Sequence, residues 1–337
     1  MKIACISFTQ LGKEIGEKLV KLSSKNNEYT VHHFINSEIN GGIKSIIVCL
    51  FDEYDGLIFI SATGIAVRFI NPYIINKTVD PAIVVVDDEG NFSISLLSGH
   101  IGGANEVAKW VADTIGAIPV ITTASDNRGI ESIDLFAMKN NYYMENMRAI
   151  KDITAMMVNK NKIGFYSELK EVIKYDNLKI IDNFQDIDHS IKGVIIVSSQ
   201  KDINIPYEKY CRLIPKNINI GIGCRRGMEG KRIIEAIENI LTQLNLSFNA
   251  IKAIGTIEVK KDEIGIIEAC NHFKCPLKIF TLEEIKKVED NFPKSQFVKE
   301  TIGVYSVSEP SAHLLGGKML TGKIKKDGIT ISISKET

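Results

Sequence analysis

Apolar positions along this chain follow two rhythms: short β-branched runs, and stretches in which aliphatic residues recur every three to four positions. In the first part of the chain the two alternate. Residues 3–8 predict a strand, and Thr9 predicts the cap of a helix whose apolar face is Leu11, Ile15, Leu19 and Leu22. Residues 29–34 predict the next strand, 43–50 a short helix, and 55–60 a strand buried on both faces. That strand runs into the small-residue turn Ser61-Ala62-Thr63-Gly64 and on to Arg68. Residues 82–87 and 91–97 flank Asp88-Glu89-Gly90, a hairpin signal, so a mixed sheet is expected. A helix over about 103–115 and a short strand at 119–122 follow, leading to Thr123-Ala124-Ser125-Asp126.

From about residue 140 to 215 the pattern weakens. Segments 162–166, 178–181 and 193–198 still read as strands, without a cluster of chemistry-bearing residues. A fresh αβ alternation begins at Ile218-Asn219-Ile220-Gly221-Ile222-Gly223-Cys224-Arg225-Arg226-Gly227. It opens into a helix with Ile233, Ile234, Ile237, Ile240, Leu241 and Leu244 on its apolar face. Ile251–Ile257 and Leu277–Phe280 predict strands, Ile264–Phe273 a helix, and Thr281 with Glu284 a capping box. Asp327-Gly328 joins two terminal strands. The expected fold class is α/β: an N-terminal open mixed sheet flanked by helices (1–139), a small α/β middle domain (140–215) and a separate C-terminal α/β domain (216–337).

A length of 337 residues suits two or three domains of about 100–200 residues each. Lys+Arg and Asp+Glu both number 41, so no net field favours nucleic acid or an anionic membrane, and any anionic ligand must be met by local charges. No apolar run is long enough to span a bilayer, and Met1 leads directly into a strand pattern; a cytoplasmic protein is expected. Six cysteines without a Cys-x-x-Cys spacing suit reduced thiols.

The most telling segment is Ser98-Gly99-His100-Ile101-Gly102-Gly103-Ala104-Asn105. It places bare backbone amides, a helix N-terminus and a titratable imidazole together. His100 reads either as a general base or as a ring bonded to a backbone carbonyl. Ser98 and Asn105 read as donors to a carbonyl oxygen or as turn stabilisers, and Asp126 as a rim carboxylate or a helix cap. In an open α/β sheet ligands bind beyond the carboxyl ends of strands, which predicts one shared rim for the Thr63-Gly64 turn and the Ser98 loop. Gly221-x-Gly223 lacks the third glycine of a dinucleotide fingerprint, and neither glycine segment is a P-loop. Arg225 and Arg226 read as bidentate holders of carboxylates or as solvated charges. Cys270, His272 and Cys275 have metal-like spacing but no evident fourth partner, so no metal is expected. His32, His33 and His189 read as surface or turn residues. Glu309 before Pro310 suits a helix start, after a strand-like stretch at 303–306.

In this order, residues 56–68, Ser98-Gly99-His100, residues 221–227, residues 256–263 and Val307-Ser308-Glu309-Pro310-Ser311-Ala312 resemble the cobalt-precorrin 5A hydrolase family of anaerobic cobalamin (vitamin B12) biosynthesis, across almost the whole chain. The resemblance implies a three-part enzyme acting on a cobalt-bearing, ring-contracted macrocycle with acetate and propionate arms. It implies lactone opening with release of acetaldehyde, giving cobalt-precorrin 5B, with no cofactor because cobalt comes with the substrate. Other enzymes of the pathway are the expected partners.

Such chemistry needs a base and oxyanion donors. His100 is the expected base, with amides around Gly99, Gly102 and Gly103 as donors; Glu309 or Asp126 would take the proton of the hydroxyethyl arm. Thr63, Gly64, Arg68, Ser98, Asn105, Cys224, Arg225, Arg226, Lys260, Lys261 and Ser308 are the expected substrate contacts. A ring of that size predicts a cleft between domains as its container. Two other readings stand beside this one: a non-catalytic corrinoid-binding carrier, and a nucleotide-dependent transferase.

Overall fold

A computed structural model describes residues 1–24, 28–76, 79–123 and 130–337. The chain divides into two compact units, Met1–Leu135 and Phe136–Thr337. In the first, the elements are β1 (Lys2–Ser7), α1 (Gln10–Ser23), β2 (Thr30–Ile35), α2 (Ile47–Glu53), β3 (Gly56–Ile60), α3 (Thr63–Ile70), β4 (Ala82–Val86), β5 (Phe92–Leu97), α4 (Ala104–Ile115) and β6 (Ile118–Val120). The sheet order is β2-β1-β3-β4-β5-β6, parallel except for β5 against β4.

Both faces of this sheet are covered, which is why its central strands are apolar without alternation. Ile3, Cys5, Ile58, Ile60 and Val84 pack with Leu19 of α1 and Val107, Ala108 and Val111 of α4. Ala4, Ile6, Leu57, Phe59 and Val85 pack on the other face with Leu50 of α2 and Ala66 and Ile70 of α3. His32 and His33 belong to β2 and not to a turn; His32 is exposed at the surface, as expected, and His33 is half-buried. His32 Nδ1 lies 2.8 Å from Tyr54 Oη, and His33 Nε2 lies 2.9 Å from Ser7 Oγ.

The unit boundary falls within α5 (Ile133–Lys139). The second unit holds two sheets. One, ordered β7-β11-β10-β8-β9, comprises β7 (Tyr142–Met144), β8 (Ile163–Ser167), β9 (Leu178–Ile180), β10 (Gly193–Val197) and β11 (Tyr210–Pro215), with α6 (Met147–Val158) between β7 and β8 in the chain. The other comprises β12 (Ile218–Cys224), β13 (Ile251–Ile257), β14 (Leu277–Phe280), β15 (Lys318–Met319), β16 (Ile324–Lys326) and β17 (Ile329–Lys335). Its order is β14-β13-β12-β17-β15, with β16 also paired to β17. Its helices are α7 (Gly230–Gln243), α8 (Ile264–Phe273), α9 (Leu282–Val288), α10 (Gln296–Ile302) and α11 (Ser308–Leu315). The two sheets are latched by Glu168, whose buried carboxylate accepts from Lys335 Nζ at 2.7 Å and from the Ser199 amide at 3.1 Å.

The period-two pattern of β12 sorts the third sheet into unlike faces. Ile218, Ile220 and Ile222 face a core with Ile233, Ile237, Ile254, Ile331 and Ile333. Gly221 lies on the opposite face beneath α11, where a Cβ would come 1.9 Å from the Ser308 carbonyl oxygen and 2.4 Å from the Ala312 amide. The stretch 303–306 is not a strand. Gly303, at φ +84°, ends α10 in a left-handed cap, and the next few residues turn the chain into α11. No helix among the described residues is long and apolar enough to cross a membrane.

Candidate functional site

The glycine loop after β5 is built around one strained residue. Ser98 adopts φ +58°, is 7% exposed, and its Oγ has no hydrogen-bond partner among the described residues. A non-glycine residue in the left-handed region and a buried unpaired hydroxyl each cost stability, and here they coincide. The helix that follows is capped by the loop's own carbonyls. Ser98 O accepts from the Ala104 amide at 3.2 Å, Gly99 O from Asn105 at 3.0 Å, and His100 O from Gly103 at 3.1 Å. The Gly103 amide is therefore already engaged, and Gly103 itself, at φ +83°, serves as the cap residue of α4. Gly102 is held against Ser98, since a Cβ there would lie 2.4 Å from Ser98 Cβ. His100 is half-buried.

Asn105 is buried within the protein. Its Oδ1 accepts from Ser95 Oγ at 2.6 Å, and its Nδ2 donates to Thr123 Oγ1 at 3.1 Å. β6 runs parallel to β5, so Thr123 arrives at the same end of the sheet as the Ser98 loop. Asp126, three residues further along the sequence, lies outside the described residues.

Thr63, Gly64 and Arg68 do not join this group. β5 runs antiparallel to β4, pairing Leu97 with Ile83 near the start of β4, so the Ser98 loop leaves at the rim where β3 and β4 begin. The Thr63 turn leaves β3 at its carboxyl end. The expectation of one shared rim is thus overturned by strand direction. At its own rim Arg68 is exposed, with Nη1 donating to Gly64 O at 3.2 Å.

In the third sheet, Cys224 ends β12 and Arg225 and Arg226 extend from it, both exposed. Lys260 reaches Glu263 Oε2 at 3.2 Å, with side chains only 12% and 8% exposed. Glu263 Oε1 accepts the Gly227 amide at 2.5 Å. Burial pushes the Glu263 carboxyl up, but the Gly227 amide and the Lys260 ammonium outweigh it and hold the group below its ordinary range. The turn after β12 therefore has its anion, supplied by the protein, and Lys260 has its counter-charge. Burial also pushes the Cys224 thiol up to about 11. A cavity of about 750 Å³ opens beside Arg226, with Met228, Val259 and Ile264 on its wall. Glu263 was not among the residues singled out from the sequence; its signal was the i,i+3 spacing from Lys260.

Ser308 and Glu309 sit in the first turn of α11, packed on the glycine face. Ser308 Oγ lies 3.1 Å from Ser332 Oγ. Glu309 accepts from Ser306 Oγ at 3.2 Å and from the Lys323 amide at 3.1 Å, with Lys323 Nζ at 3.7 Å. Burial lowers the Lys323 amine from its ordinary value against the pull of Glu309. Cys270 and Cys275 meet at the end of α8, where the Cys275 amide bonds Cys270 O at 3.0 Å. Among the described residues no group of three or more His, Cys, Asp or Glu side chains gathers as a metal site would require.

Residues 45–126 match the family described as Cobalamin synthesis G N-terminal, residues 131–206 the one described as Cobalamin biosynthesis central region, and residues 218–334 the one described as Cobalamin synthesis G C-terminus. The cobalt-precorrin-5A hydrolase of Salmonella typhimurium is 37% identical over 301 residues, covering 87% of this chain and 86% of that protein. A Priestia megaterium protein of the same name is 32% identical over 350 residues, covering 98% and 93%.

Proposed function

This chain belongs to the cobalt-precorrin-5A hydrolase family, and from that premise we propose that it opens the lactone of cobalt-precorrin 5A with water and releases acetaldehyde, giving cobalt-precorrin 5B. The loop at Ser98 supports the choice of site. Ser98 combines a strained backbone with a buried hydroxyl that has no partner among the described residues, two residues from an imidazole, and such coincidences cluster at functional sites.

In this reading His100 takes a proton from the attacking water. Ser98 Oγ and the amides of Gly99 and Gly102 donate to the oxygen that gains charge as the lactone carbonyl becomes tetrahedral. Collapse breaks the ring C–O bond and leaves a carboxylate and a hydroxyethyl arm. Loss of the hydroxyl proton, with Asp126 as acceptor, lets the C–C bond break; acetaldehyde departs and the conjugated macrocycle keeps the electron pair. Glu309, already bonded to Ser306 and Lys323, serves better as a brace for α11 than as that acceptor. Within the second unit, Arg225 and Arg226 are exposed and clear of the Lys260–Glu263 pair, two guanidinium forks of the kind that holds carboxylates. Cobalt enters as part of the substrate, and the protein's own groups carry each proton transfer.

The experiment is turnover of cobalt-precorrin 5A by the purified chain, scored as acetaldehyde. Parent protein should turn over, and His100→Ala should lower kcat by about 10²–10⁴-fold. A parent that binds the macrocycle without producing acetaldehyde is a carrier. An active parent with an equally active His100→Ala variant removes the imidazole from the mechanism.

A further inference from the structure

We propose that Asn105 is a positioning residue, one that holds the His100 loop in register with the segment entering from β6 by bridging Ser95 and Thr123. The proposal rests on the reading of that loop as the reaction site.

Three pieces of chain meet at this one amide. Ser95, within β5, donates to Oδ1 at 2.6 Å, and Thr123, beyond β6, accepts from Nδ2 at 3.1 Å. The loop itself is gripped twice. The Asn105 backbone amide bonds Gly99 O at 3.0 Å, and its side chain fills the space a Cβ at position 99 would need, with Oδ1 only 2.8 Å from that point. An amide suits the task because it offers an acceptor and a donor from opposite ends of one rigid plane. Asn105 is 2% exposed and its Oδ1 and Nδ2 are both bonded to neighbouring side chains, so it serves the loop and not a substrate carbonyl. It acts instead through Gly99, the residue before His100, and through Thr123. Displacing a reacting group by about 1 Å costs up to about 10²-fold in rate, so a bridge that fixes this loop belongs to the catalytic apparatus without touching the reacting atoms.

The test is a double-mutant cycle on kcat and KM of the full chain with cobalt-precorrin 5A. Asn105→Ala should lower kcat by about 10–10²-fold with KM within about two-fold of the parent, and Thr123→Val by about tenfold. The double variant should be no slower than Asn105→Ala alone, because both remove the same bridge. Thr123→Ser, which keeps the hydroxyl, should run near the parent rate; this pair decides the matter even if Asn105→Ala fails to fold. Multiplying losses, equal kcat for Thr123→Val and Thr123→Ser, or a rise in KM at constant kcat would overturn the proposal, the last by making Asn105 a substrate contact. Failure of the underlying reading is separate: an unimpaired His100→Ala variant dismisses the imidazole, whereas the Thr123 pair still reports whether the bridge governs turnover.

Discussion

Segments 98–103 and 221–227 look alike as sequence, each carrying three glycines ahead of a helix, yet they solve different problems. In the first, Ser98 is strained and its hydroxyl has no partner among the described residues. The second is occupied by the protein itself. Gly221 is a gap into which the backbone of α11 fits, and Glu263 fills the turn that follows with a carboxylate of the protein's own. Glycine next to a helix start is therefore not by itself a ligand signal. What separates the two is whether local backbone and side chains already satisfy the polar groups.

The largest test of that contrast lies at Gly221. An added methyl would sit 1.9 Å from the Ser308 carbonyl oxygen, a backbone atom that cannot swing away as a side-chain tip would. Gly221→Ala should destabilise the third-sheet region by about 3 kcal/mol or more, or prevent its folding. Chemical denaturation followed by near-UV dichroism measures it. A stability loss under about 1 kcal/mol would mean that the glycine is there for a ligand and not for α11.

A middle-sized effect is expected at Glu263. Glu263→Gln keeps the size and one acceptor but leaves Lys260, with its side chain 12% exposed, facing an uncharged group, at a cost of about 1–3 kcal/mol near neutral pH. The sign with pH follows from the depressed carboxyl. The unfolded chain takes up this proton at higher pH than the folded one, so the contribution is complete above the ordinary carboxylate value and fades as pH falls through the lower folded value. Melting temperature against pH should fall less steeply on its acid side in the variant than in the parent. Parallel curves would show that Glu263 does not occupy the turn as an anion.

Much of the architecture was legible in advance, and the reason is periodicity. The apolar run Gly56–Ile60 reports burial on two faces, and the Ile-x-Ile-x-Ile alternation of β12 separates its isoleucine core from the face that α11 covers. The Asp88-Glu89-Gly90 hairpin was legible too, and it is what reverses β5. Once β5 runs backward, the Ser98 loop leaves at the other end of the sheet from Thr63, an outcome set by strand direction and not by the local pattern at either turn. Pairings over long separations left no mark in local pattern. Glu309 with Lys323 and Asn105 with Thr123 depend on how segments fold back, so a sequence window shows polar residues without showing which of them are already spent.

The smallest effect is the one that isolates function from packing. At Ser98 the left-handed backbone disfavours any side chain, and the buried Oγ gains nothing from the described protein. Ser98→Gly should therefore raise stability by about 1 kcal/mol, the opposite of the change at Gly221, because glycine enters that region without the steric penalty and the orphaned hydroxyl is gone. If that hydroxyl is one of the oxyanion donors, the same variant should lose turnover as it gains stability, with the loss in kcat and little change in KM. A variant both less stable and fully active would mean that the serine is an ordinary packing residue; the contrast between the two glycine segments would then vanish, because both would be structural.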